Sequence, residues 1–108
     1  MKIHMDITQE RWNAMSLVEQ MANVGSEVGR TINWCKKDEI LSRNALYRGL
    51  ELLDATIEDP KNKKRLKELL RVRECLTDYF MYDNQYKSSD DLWNNYFLAF
   101  GIAARLNR

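Results

Sequence analysis

The chain has 108 residues, enough for one domain with a real core, and its 44% hydrophobic and 31% charged residues suit a folded chain, not a disordered one. A formal charge of +1 exerts no global pull toward nucleic acid or an anionic membrane. Four glycines and one proline are too few turn signals for a many-stranded sheet, and the longest apolar run, Tyr96–Ala104, is about half a membrane span.

Met1–Ile7 alternates apolar and polar residues but is too short to pair with itself, so it reads as an arm leading to a short helix near Thr8–Met15. Charged and polar residues fill Met1–Trp12, where a signal peptide would need an apolar stretch. The expected setting is the cytoplasm, with Cys35 and Cys75 as free thiols; export would allow them to pair instead. Residues 1–15 form the arm and short helix, and residues 16–108 a single helical domain.

Ser16 and Glu19 form an S-x-x-E capping box, which starts a helix. Leu17, Met21, Val24, Val28, Ile32 and Cys35 then repeat at helical spacing. Small residues lie beside that stripe at Ala22, Gly25 and Gly29, and along Glu39–Glu58 at Ser42, Ala45 and Gly49. Folding the chain back near Lys37 sets Gly25 opposite Gly49 and Gly29 opposite Ala45. Each interior glycine costs a helix roughly 1 kcal/mol relative to alanine, so a close approach of two antiparallel backbones along this seam is the expected compensation.

Asp38 is an N-cap candidate that divides the two helices, although Lys36–Glu39 holds neither proline nor glycine. Leu46, Leu50, Leu53 and Ile57 stay in phase across the join, so one helix of about forty residues is the alternative. Asp59 as N-cap with Pro60 at the first helical position marks the next boundary. From there a third helix is predicted to about Phe80, burying Leu66, Leu69 or Leu70, Val72 or the stem of Arg73, Leu76 and Phe80. Its outer side pairs Lys64 with Glu68 and Arg71 with Glu74. Tyr82–Lys87 is a polar connection, and Ser88 or Ser89 caps a last helix carrying Leu92, Trp93, Tyr96, Phe97, Phe100, Ala103 and Ala104 before a basic end at Arg105 and Arg108. The expected fold is all-α, a four-helix up-and-down bundle with a short N-terminal arm or helix.

His4 is the only histidine, so di-iron E-x-x-H pairs, zinc hydrolase sites, Ser-His-Asp triads and Cys-His pairs lack their imidazole. Asp83–Asp91 has oxygen ligands but not the central glycine or closing glutamate of a calcium loop. Gly25–Gly29 lacks the lysine of a phosphate loop. Acid pairs such as Glu51 with Asp54 or Glu74 with Asp78 read as surface charge. No catalytic constellation, metal site or cofactor is expected.

Two features stand above this background. Trp34 falls in helical phase with Glu19, Asn23, Glu27 and Arg30, away from the apolar stripe, so either Trp12 on the N-terminal helix or another chain must cover it. Trp12, Trp34, Tyr82 and Tyr86 are therefore the candidate interface residues for a homo-oligomer or a protein partner. The second feature is the basic run Lys61, Lys63, Lys64, Arg65, Lys67 and Arg71, with Arg73 beyond, which could follow a phosphate backbone. A non-enzymatic interaction or self-associating module is the first reading, a nucleic-acid-binding accessory protein the second. An enzyme or carrier with Glu27, Arg30, Arg48 and Glu51 around an interhelical cavity is the third. No membrane association is expected.

Overall fold

The structure, a computed structural model, describes residues 7–106. Among these the chain is helical throughout: α1 (Gln9–Asn13), α2 (Leu17–Trp34), α3 (Glu39–Glu58), a 3-10 segment (Pro60–Arg65), α4 (Leu66–Met81) and α5 (Asp90–Leu106). Met1–Asp6 of the expected arm, with His4, and the basic Arg108 lie outside the described residues.

Side-chain caps set the helix ends. The Ser16 hydroxyl accepts from Glu19 N at 3.2 Å while the Glu19 carboxylate accepts from Ser16 N, a complete capping box. Asp38 takes extended backbone angles and its Oδ1 accepts from Ile40 N and Leu41 N, both at 3.1 Å. That cap ends the single forty-residue alternative, because a continuous helix would need Asp38 in helical conformation. Ser89 Oγ accepts from Leu92 N at 3.1 Å at the start of α5.

The predicted third helix is divided. Asp59 caps as expected, its Oδ1 accepting from Lys61 N at 3.1 Å, but Pro60–Arg65 winds as a 3-10 segment before α4 begins at Leu66. Asn62 explains the tighter winding. Its side chain is drawn into the interior, where Nδ2 donates to Gln20 Oε1 and to Thr56 O, each at 2.9 Å. A short amide bonded to backbone and side chain nearby competes with regular α geometry.

Those bonds belong to a buried polar cluster that binds four segments. Gln20 Nε2 donates to Asp59 Oδ2 at 2.8 Å and to Trp12 O at 2.9 Å. The Trp12 indole donates to Thr56 Oγ1 at 3.1 Å, and Thr56 in turn donates to Leu52 O. The Lys61 ammonium contacts the Asp59 carboxylate and donates to Asn13 O at 3.0 Å, and Gln9 Nε2 donates to Ala55 O at 2.8 Å. Burial pushes the Asp59 carboxyl up, but hydrogen bonds from the Lys61 side chain, Gln20 and Lys61 N, with the Lys61 charge, outweigh it and hold the group below its ordinary 3.8.

Around this cluster the apolar stripes close a core of Trp12, Met21, Val24, Leu53, Leu69, Leu76, Trp93 and Phe97. α2 packs against both α3 and α5. Ser42 Oγ donates to Thr31 O at 2.7 Å, and the Arg48 guanidinium reaches Glu27, which fixes α3 against α2. Asp54 meets Arg73 between α3 and α4, and Glu68 meets Tyr96 between α4 and α5.

The small-residue seam is real on the α3 side and misplaced on the α2 side. A Cβ on Gly49 would stand 3.2 Å from Glu27 Cβ, so α3 does press closely on α2 there. Gly25 faces α5 instead of Gly49: its Cβ would lie 2.7 Å from Phe97 Cβ. Gly29 has nothing within 4 Å among the described residues. α2 has two helical neighbours, and the seam rule does not say which of them a small residue admits.

The link from α4 to α5 is ordered by Asp78, which is buried and accepts from Gln85 N at 2.8 Å and Tyr86 N at 3.0 Å. Asn84 holds a positive φ of 53° and ties both its amide atoms to Ser88. Asparagine tolerates that conformation better than most residues.

Gly25→Ala should destabilise the fold by about 1–3 kcal/mol through forced displacement of Phe97, whereas Gly29→Ala should stabilise it by up to about 1 kcal/mol; urea unfolding of the two variants separates them. Asp59 contributes stability that is complete above its unfolded value of 3.8 and is lost as pH falls through its lower folded value. Asp59→Asn should therefore lower stability at neutral pH by about 1–3 kcal/mol. The same variant should flatten the fall in stability between roughly pH 5 and 3, followed by urea titration at each pH.

Candidate functional site

Trp12 is 1% exposed, a core residue rather than an interface residue, because the Thr56 hydroxyl satisfies its indole and apolar side chains surround the ring. It is therefore unavailable to cover Trp34, which remains 39% exposed at the last position of α2. Burying a tryptophan is worth a few kcal/mol, and the chain leaves much of that unused here.

Trp34 is not alone. Where α2 ends and α3 begins, Ile40 is 70% exposed and Leu41 and Tyr47 are exposed as well. A groove of about 450 Å³ runs between this region and the end of α4, lined by Cys35, Leu46, Tyr47, Phe80 and Met81. The residues next in the chain to Cys35 and Met81 are Trp34 and Tyr82, and Tyr82 is 73% exposed. Two capping connections thus bring apolar side chains from three helix ends to one end of the molecule.

Tyr86 differs from Tyr82. Its hydroxyl donates to Glu74 at 2.6 Å, which raises its pKa, and the Arg71 guanidinium sits 4.8 Å from its ring centroid. It clamps the loop onto α4. Tyr79 donates to Asp90 at 2.6 Å, and burial together with that bond pushes its pKa to about 12. Both tyrosines stay protonated donors at neutral pH.

Four residues of the predicted basic run, Lys64, Arg65, Lys67 and Arg71, line one surface groove, but half of the run is engaged by other groups of the chain. Lys61 is committed to Asp59 and Asn13, Arg65 to Glu68 at 2.8 Å, and Arg71 to the Tyr86 ring. The 3-10 segment also interrupts the helix that was to carry the run. Lys63, Lys64 and Lys67 have no partner among the described residues. The surface groove along Lys64, Arg65, Lys67 and Arg71 also includes the acids Glu68 and Glu74. Burial raises and the Arg65 and Tyr96 hydrogen bonds lower the pKa of Glu68, with a net downward shift, so it keeps its negative charge in that groove.

Of the residues offered for an interhelical cavity, Glu27, Arg30 and Arg48 meet at one buried carboxylate. Glu27 is 2% exposed, its Oε1 taken by Arg30 and its Oε2 by Arg48 at 3.1 Å. Through Arg48 this carboxylate fastens α2 to α3. Glu51 is engaged as well. Among the described residues no group of three His, Cys, Asp or Glu side chains is placed to hold a metal, and no helix is long and apolar enough to cross a membrane.

Sequence reading singled out Trp34 and Tyr82 at this end but passed over Ile40, Leu41, Tyr47 and Met81. A countable signal existed: α3 carries large apolar residues outside its Leu46, Leu50, Leu53 stripe, more than one buried face can use. Comparison with known proteins finds no matching family model, curated protein or solved structure.

Lys61→Ala should cost about 1–3 kcal/mol, because it strips the buried Asp59 carboxylate of its cation. Alanine at Lys63, Lys64 or Lys67 should change stability by less than about 0.5 kcal/mol; parallel denaturant titrations measure both.

Proposed function

We propose that this chain is a non-enzymatic protein-interaction module, a four-helix up-and-down arrangement braced by α1, which docks a partner at the end bearing Trp34. The observation that carries the reading is the closed core: Trp12 and Trp93 complete it, and Trp34, Ile40, Leu41, Tyr47, Met81 and Tyr82 remain exposed. Exposed aromatic and apolar clusters of this kind mark docking surfaces. Lys36 and Lys37 follow Trp34 and Cys35, and their ammonium groups have no partner among the described residues. The fitting partner is thus a protein segment with large apolar side chains flanked by carboxylates. Free thiols at Cys35 and Cys75 fit a reducing, cytoplasmic setting.

The unpaired Lys63, Lys64 and Lys67 support a second reading, nucleic-acid binding. It is the weaker one, since Lys61, Arg65 and Arg71, half of the predicted basic run, are engaged by other side chains of the chain.

Peptides selected from a random display library against the protein should be enriched in aromatic or aliphatic residues beside Asp or Glu. Trp34→Ala should weaken their binding by at least about tenfold while leaving the unfolding midpoint nearly unchanged. Selection that yields no such peptides, or peptides indifferent to Trp34→Ala, would overturn the docking role. Salt-sensitive binding of a DNA or RNA duplex, lost when Lys63, Lys64 and Lys67 become glutamate, would favour the second reading.

A further inference from the structure

A second surface, on α5, carries its own pattern. Asp91, Leu98 and Arg105 recur at seven-residue spacing and so lie on nearly one line along the helix. Leu98 is 54% exposed and Ile102, one turn on, is 42% exposed. Neither Asp91 nor Arg105 has an ion-pair partner among the described residues.

Beside this line runs a shallow furrow along the α2–α5 seam. It consists of two hollows of about 440 and 370 Å³ that share Ala22, Ser26 and Gly101. Glycine weakens a helix interior, and Gly25 has its reason in Phe97. Gly101 has none inside the chain, since nothing among the described residues comes within 4 Å of where its Cβ would stand. Trp93, 3% exposed, also lines the furrow, and its Nε1 has no hydrogen-bond partner among the described residues. An open glycine and an unmet buried donor thus occur on the seam that the exposed leucine borders.

We infer that α5 is the dimerisation helix of this protein, pairing antiparallel with α5 of a second copy about a two-fold axis near Leu98. The occupant follows from the charge order. Asp91 lies seven residues before Leu98 and Arg105 seven residues after it, so the two-fold sets Asp91 of each copy against Arg105 of the other. A surface ordered acid, apolar, base is complementary to itself only when antiparallel. Gly101 lets the two backbones come close beside the axis, and each Leu98–Ile102 ridge meets the other copy's furrow.

The size of this face sets the strength. Seventeen residues of α5 extend about 25 Å, and a face two helices wide covers roughly 500 Å² per copy, near the lower limit for a specific dimer. The dimer should therefore dissociate in the micromolar range. This pairing is independent of the Trp34 docking role and stands or falls separately.

Sedimentation equilibrium of the full chain from about 1 to about 300 µM tests it. A monomer–dimer equilibrium is expected, weakened roughly tenfold by Asp91→Arg or Arg105→Asp alone and restored by the two together, since each swap acts at two symmetric contacts. Leu98→Glu, at an exposed position, should leave a folded monomer. Gly101→Leu should do the same with helicity retained by circular dichroism. A chain monomeric throughout this range overturns the inference. So does a dimer in which the double swap fails to restore what either single swap removes.

Discussion

The carboxylate of Asp59, buried between the amide of Gln20 and the ammonium of Lys61, is the constraint on which the rest of this structure depends. Hydrophobic burial has no direction, so helices joined only by apolar stripes could slide or rotate against one another. A buried acceptor that loses its donor costs roughly 1–3 kcal/mol, which penalises any such slip. Through Gln20, Asn62 and Thr56 the penalty reaches α2, the 3-10 segment and the end of α3, and through Trp12 it reaches α1. The cluster supplies register as well as stability.

That register decides which aromatic residues are spent. With Trp12 drawn against Thr56 and Trp93 against Phe97 and Tyr96, the core needs no third indole. Trp34 sits one turn beyond the Glu27–Arg30 pair, past the point where α3 can shelter it. The Asp38 cap then starts α3 with Ile40 and Leu41 facing outward. A surplus of apolar surface at one end follows from where two caps and one buried cluster place the helix termini. The case for docking at this end rests on that surplus.

Much of the architecture was legible in the residues. The Ser16–Glu19 box, the Asp38 and Asp59 caps and the stripe through Met21, Val24 and Val28 all act locally, and the structure places each of them. What was not legible depends on partners distant in sequence. The 3-10 winding of Pro60–Arg65 follows from an Asn62 bond to Gln20, 42 residues away, and no local propensity reports it. The small-residue pattern alone points Gly25 at α3, whereas Phe97 of α5 claims it. The basic run looked continuous because charge is visible in a sequence and ion pairing is not. On the surface, Trp34 and Tyr82 stood out by phase and type, while Tyr47 and Met81 resemble ordinary core residues until the fold shows them exposed.

Hydrogen exchange of the Trp12 and Trp34 indole N–H groups, followed by NMR on dilute protein, tests this account most directly. Trp12, buried and bonded to Thr56, should exchange only through global unfolding, and Trp34 at close to the rate of a free indole. Fast exchange at Trp12, or protection of Trp34 equal to the core, would contradict the claim that the buried cluster completes the interior and leaves Trp34 for a partner.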